Sequence, residues 1–401
     1  MQSQGFFPRN IEYFERDFLD NMKGVVEASG VNVKSLGSLR LYRVRGLPKF
    51  WGERKEDSIS IKHVTEDLVS GLFESRVPLF FSAFGGVGGL EIAYGTFTDD
   101  ESTLDNKAET LKACLGSSFH GLEISPLEES YLSSMLTGLS YTGILTGVPS
   151  LREAEGRIEF ANVDRLMRGV SGKGCGLAVV SVPMGNEDIN SLFNMALNEI
   201  KIIMDAEKHS GQESPTGKQY KALLEKYLER LQRSKSQGLW FSSFFIFAEK
   251  PEMLDQVKAL TKSAYSGKES VTDRIRVLQV RGRGLNPGLI MNPAPASPGQ
   301  FKWPYMYSNI LGTSEIASMV QMPGQEFPGY KITPYVKFNV SKDEGDGINI
   351  GEILDQGKPL GFNYKVPVKG LKKHGLIEMF RNKCRSGKKH GFLIQKNVPL
   401  L

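Results

Sequence analysis

Cysteine and histidine are scarce in this chain. Three cysteines (Cys114, Cys175, Cys384) and five histidines (His63, His120, His209, His374, His390) are scattered over 401 residues and never fall at metal-ligand spacing. That excludes a locally encoded zinc site and a disulfide framework, and it reads as ordinary thiols in a reducing compartment. Long apolar runs are missing as well. The stretch from Val77 to Leu90 is broken by Pro78 and four glycines and is too short to cross a bilayer. The opening residues, MQSQGFFPRNIEYFERDF, lack the basic region followed by an apolar core that marks a secretory signal, so a cytoplasmic protein is expected. Basic charge is lacking over most of the length. The net charge is +5, yet residues 365–401 hold ten Lys or Arg against the single acid Glu378, a local balance of +9 that leaves −4 for the other 364 residues. A mildly acidic body argues against a broad nucleic-acid-binding face there.

What is present is enough chain for two or three domains, with 40% hydrophobic and 24% charged residues, the composition of a soluble globular protein with a sizeable core. Ile11, Phe14, Phe18, Met22 and Val25 recur at helical spacing and predict an amphipathic helix ending near Gly30. Leu39–Val44 alternates as a strand. Two further strands, Val77–Ala83 and Leu90–Thr96, flank the cluster Gly85-Gly86-Val87-Gly88-Gly89. A dinucleotide-binding loop needs its glycines to lead into a helix whose N-terminus faces the phosphates. Here they lead into another β-rich run, so a hairpin turn is expected. Gly282-Arg283-Gly284 likewise reads as a proline-terminated loop rather than an anion cradle.

Beyond Asp99 the pattern runs helix (DNKAETLKACLG), strand (HGLEIS), helix (LEESYLSSMLTGL), then opens a second round with a short helix at Val163–Met167 and a strand at Leu177–Val182. Ile189, Leu192, Phe193, Ala196, Ile200 and Ile203 form one helical stripe. Tyr220, Leu223, Leu224, Tyr227, Leu228 and Leu231 form another beyond the polar break Lys208–Gln219. Together they predict a helical hairpin. The aromatic strand LWFSSFFIFAE, a helix beginning at Pro251 and the strand RIRVLQV complete the round. Five prolines between Asn286 and Pro304 exclude a helix or central strand there. A short helix at Ser314–Val320, an alternating strand around Val336, Phe338 and Val340, and the segment INIGEILDQG follow. The expected fold class is α/β (α+β): two successive strand–helix–strand modules with a helical hairpin, then a small β-rich connector leading to a truncated motor domain. The expected boundaries are 1–74 for an N-terminal helix and strand, 75–285 for the modules, 286–308 for a Pro-rich linker, 309–377 for the connector and 378–401 for a basic tail.

Several of these segments resemble one family, the HerA/FtsK-like ATPases, and within it the branch that looks like the ATPases of conjugative secretion. The similar stretches are LTGVPSL (Leu145–Leu151), VDRLMRGVSGKGCGLAVVSVPM, QGLWFSSFFIFAE, GTSEIASMVQMPGQEFPGY (Gly312–Tyr330) and INIGEILDQGKPLGFNYKVPVKGLKKHGLI (Ile348–Ile377). The resemblance covers about residues 75 to 377. It implies that Leu371 and His374 precede the strand that ends in a phosphate loop, and that intact relatives bind ATP and Mg²⁺, assemble into rings and translocate DNA or protein.

A phosphate loop of the form G-x-x-x-x-G-K-[ST] uses backbone N–H groups to cradle phosphates, a lysine to reach them and a hydroxyl to hold Mg²⁺. Gly387 and Lys388 are present, but the first glycine is replaced by Asn382 and the hydroxyl by Lys389. The expectation is therefore a weak, degenerate cofactor site at Gly387 and Lys388 with His374 nearby. No catalytic or metal residues and no cofactor are expected for this chain itself, in which the motor domain is cut short. Whether it is an enzyme stays open. The implied function is the N-terminal assembly or regulatory portion of a HerA/FtsK-like translocase. Its partners would be homo-oligomers or full-length ATPase subunits, and DNA through an intact complex, with no membrane span. The alternative is a phosphate- or nucleic-acid-binding protein acting through the basic tail, with an affinity that falls with salt. Asp164, Arg165, Glu315 and Glu326 are the carboxylates and neighbour that an unrelated enzyme would use. Without a histidine, cysteine or metal cluster beside them they read as helix caps or loop anchors.

Overall fold

The computed structural model describes residues 14, 16, 25–27, 37–50, 60–128, 130–150, 162–212, 214–267, 273–281, 308–334, 347–355 and 358–367. The chain divides into two units, Met1–Tyr335 and Val336–Leu401.

In the first unit β1 (Val25–Glu27) is followed by β2 (Ser38–Lys49), α1 (Ile61–Glu74), β3 (Leu79–Gly86), β4 (Gly89–Thr98), α2 (Leu104–Ser118) and β5 (Glu123–Leu127). After α3 (Ser130–Thr137) come β6 (Tyr141–Thr146), α4 (Asn162–Val170), β7 (Cys175–Pro183), the long helices α5 (Asn186–Ser210) and α6 (Pro215–Lys235), β8 (Leu239–Ala248), α7 (Pro251–Tyr265) and β9 (Arg276–Arg281). The unit closes with β10 (Asn309–Gly312), α8 (Thr313–Val320) and β11 (Lys331–Pro334).

The fold is α+β, built on one largely antiparallel sheet. Its central order is β9-β6-β8-β7-β3-β4-β2, with β5 also on β2. That order contains the same pattern twice. In β2-α1-β3-β4-α2-β5 the strands stand as fourth, first, third, second, and β6-α4-β7-β8-α7-β9 repeats the arrangement. This is the strand order of a ferredoxin-like βαββαβ unit. The second strands of the two modules, β3 and β7, pair antiparallel (Phe81↔Val179) and fuse the modules into one sheet. The modules differ at one connection. In the first, Val87 and Gly88 turn β3 into β4; in the second, β7 and β8 are separated by the α5–α6 hairpin.

The local reasons are legible in the residues. Ser60 caps α1 by accepting from the Lys62 N–H at 3.2 Å, and Val64, Leu68 and Leu72 face inward at helical spacing. β8 is buried along its whole length, so it carries the uninterrupted apolar run of a strand covered on both faces. One face holds α1, α2, α4, α7 and α8 over Leu79, Phe81, Ile92, Leu177 and Ile246. The other is sealed by Leu132, Leu136 and Leu139 from α3 and its exit, over Phe80, Phe84, Val180, Phe245 and Phe247. Removing one such phenylalanine from water is worth about 1.5–3 kcal/mol.

Several expectations are met: the hairpin at the glycine cluster, the α5–α6 hairpin, the strand at Leu239 and the helix from Pro251. One is corrected. Val25, expected at the end of an N-terminal helix, lies in β1, parallel to β9 with Val26 opposite Val280. Paired valines favour an extended backbone where an edge strand can receive them. β10 and β11, from the segment expected to begin a separate connector, join the sheet of both modules: β10 pairs with β8 and β11 with β2. The Pro-rich stretch and the strand around Phe338 lie outside the described residues. The second unit contributes a two-stranded antiparallel sheet of β12 (Gly347–Asp355) and β13 (Lys358–Pro367), with register shifts between Asn349 and Gly351 and between Glu352 and Leu354.

Candidate functional site

His374, Gly387 and Lys388 lie outside the described residues. Leu371, Asn382 and Lys389 do too, whereas Asp164, Arg165, Glu315 and Glu326 are described, and the structure gives the three carboxylates anchoring roles. Asp164, buried in the first turn of α4, accepts the Gly324 N–H at 2.8 Å. Glu326 accepts the Ile332 N–H at 3.1 Å and closes the turn before β11. Glu315 accepts the Gly312 N–H at 2.8 Å, capping its own helix, as a carboxylate in a first turn does. Arg165 is exposed. The three carboxylates all act on one segment, 308–334, but at different places along it.

The partner that sequence reasoning missed is Arg230. From α6 its Nε and Nη2 donate to the two oxygens of Glu315, both at 2.6 Å, and Nη2 also donates to the Ile310 carbonyl. Both side chains are largely withdrawn from water, 12% and 8% exposed. The fork geometry is the strong form of an Arg–carboxylate contact. No local signal could have paired positions 85 residues apart. In the sequence Arg230 is one more basic residue of a helix that also carries Lys218, Lys221, Lys226, Arg233 and Lys235.

A second charged knot sits next to it. Arg16 donates from Nε to Asp273 at 3.0 Å, from Nη1 to the Ser308 carbonyl at 2.6 Å and from Nη2 to Asn309 at 2.8 Å. Arg276 reaches the other Asp273 oxygen at 2.9 Å. Asn309 in turn holds the backbone of module two, accepting the Gly147 N–H at 2.8 Å and donating to the Leu145 carbonyl at 3.1 Å. The cleft between the two knots, lined by Phe14, Arg16, Tyr227, Arg230, Asp273 and Asn309, encloses about 10 Å³, the space of a single water. Burial, partly offset by the charges of Arg230 and Arg16, pushes the Tyr227 phenol up to about 12.

These groups hold elements together; their geometry offers no reacting centre. Among the described residues no three His, Cys, Asp or Glu side chains gather in a way that would hold a metal ion. Burial pushes the Cys175 thiol up to about 11, the wrong direction for a nucleophile. The exposed apolar surface is distributed differently. Along α5, Leu197 and Met204 are 51% and 53% exposed, next to Phe193 and Ile200, which are half-buried against the core. Among the described residues the candidate functional region is therefore the inserted hairpin together with the segment it grips. No protein-family model matches the chain, and no curated protein matches it.

Proposed function

We propose that the chain is the N-terminal assembly and regulatory portion of a HerA/FtsK-like ATP-binding protein, a DNA or protein translocase when intact, and that it does not hydrolyse ATP by itself. The carrying observation is the asymmetry of the duplicated sheet. Of two equivalent strand connections, one is a two-residue turn and the other a pair of helices of 25 and 21 residues. Those helices bring exposed apolar side chains and a buried ion pair to a scaffold whose glycine and carboxylate motifs serve turns and anchors. An elaborated protrusion, on a scaffold whose described carboxylates serve as caps and anchors, suits recruitment and assembly. The order of the resembling segments from Leu145 to Ile377 supports the particular family.

Light scattering on the purified chain, combined with titration of ATP and Mg²⁺, tests the reading. A mass above the 44.5 kDa of one chain, with no ATP turnover, is expected. A strict monomer that also ignores a full-length relative, or turnover abolished by Lys388→Ala, overturns it. The +9 balance of residues 365–401 favours one second reading, phosphate or nucleic-acid binding through the tail. Its affinity would drop steeply between low and moderate salt.

A further inference from the structure

Residues 308–334 run as a strap from one module to the other. β10 adds to β8 of module two, α8 packs against α1 and α4, and β11 adds to β2 of module one. Bonds secure the strap along its length. Near its start Thr313 donates to the Gln237 carbonyl at 2.6 Å and accepts the Trp240 indole N–H at 3.3 Å. In the middle Tyr94 donates to the Val320 carbonyl, and Asp164 accepts from Gly324. Near its end the Leu90 N–H donates to the Pro328 carbonyl at 2.6 Å. That last contact requires Gly89, whose φ is +112° and whose added Cβ would meet the Pro328 carbonyl.

We propose that this strap is a latch, held shut by Arg230 and Glu315, that ties the position of the α5–α6 hairpin to closure over both modules. Displacing the hairpin would free residues 308–334 together. Glu315 is buried, and the bonds at its two oxygens come from Arg230 and from Gly312. If α6 moves, the guanidinium leaves, and a buried carboxylate with little compensation is strongly unfavourable. It relaxes by lifting out of the protein, which uncaps α8. β10 has four residues and α8 eight, lengths that hold only through tertiary packing, so loosening at one end spreads along the strap. The inference rests on this geometry and not on the ATPase resemblance.

Hydrogen exchange on the full chain tests it, comparing the parent with Glu315→Gln and Arg230→Lys. For Glu315→Gln, exchange should rise by about 100-fold in α6, in Gly312–Val320 and equally at the remote amides of Leu90, Gly324 and Ile332, while α2 keeps its protection. Arg230→Lys retains the charge but loses the fork, and should give the same pattern at about 10-fold. If Glu315→Gln does not fold, Arg230→Lys carries the test alone. A rise confined to the first turn of α8 would mean a local cap and would overturn the latch. So would a strap that loosens while α6 keeps its protection.

Discussion

At the scale of single residues, the structure treats its scarce reactive groups as core. Cys175 is 2% exposed, at the start of β7, with its thiol 3.6 Å from the Val170 carbonyl. Burial raises its pKa from 9.0 to about 11, because the thiolate would be desolvated. The folded value lies above the unfolded one. The contribution is therefore fully present below about pH 9 and is lost as pH rises toward 11, by an amount on the order of 2–3 kcal/mol. Stability should accordingly fall more steeply between pH 8 and pH 10.5 in the parent than in Cys175→Ala, which has no thiol to ionise. Urea midpoints measured at pH 8 and pH 10.5 check this: the difference between the pH values should shrink in the variant. An unchanged pH dependence would show that the thiol is not the group responsible.

At the scale of elements, α5 has two faces of different worth. Leu192 is 2% exposed and packs in the main core, whereas Leu197, five residues on, is 51% exposed. Leu192→Ala should cost about 2–5 kcal/mol in urea unfolding, and Leu197→Ala no more than about 0.5 kcal/mol. Comparable losses would mean that the outer face is covered by something in solution. Element identity was readable wherever a residue pattern fixes it. The alternation at Leu39–Val44, the aromatic run of β8, the glycines between β3 and β4 and the two stripes of the α5–α6 hairpin each announced themselves. The failures have a common physical cause. β1 spans three residues and is extended only because β9 offers an edge. The Arg230–Glu315 contact joins separate elements across 85 positions, and Asn309 reads as one polar residue until Arg16, Leu145 and Gly147 surround it. Such features are fixed by tertiary placement, which local periodicity does not encode.

At the scale of the whole first unit, the duplication decides how it should unfold. Two ferredoxin-like modules joined only by a linker would lose structure independently. Here β3 and β7 pair over seven positions, from Leu79 opposite Ser181 to Gly85 opposite Cys175, in the middle of a shared sheet. Phe80 and Phe84 from module one lie in the same apolar cluster as Val180, Phe245 and Phe247 from module two, beneath α3, the element that links the modules in sequence. The strap adds a second seam on the opposite face through α8, which packs on α1 of one module and α4 of the other. Unfolding either module alone would expose both seams, and with them apolar surface that the remaining module cannot cover. The two halves should therefore melt together. Followed by hydrogen exchange through a urea series, β4 and β8 should lose protection at the same midpoint, in one transition whose steepness matches the surface exposed by the entire unit. Two midpoints separated by more than about 1 M urea would show that the shared sheet is only an apposition of independent domains. In that case the hairpin could move with module two without disturbing the strap's hold on module one.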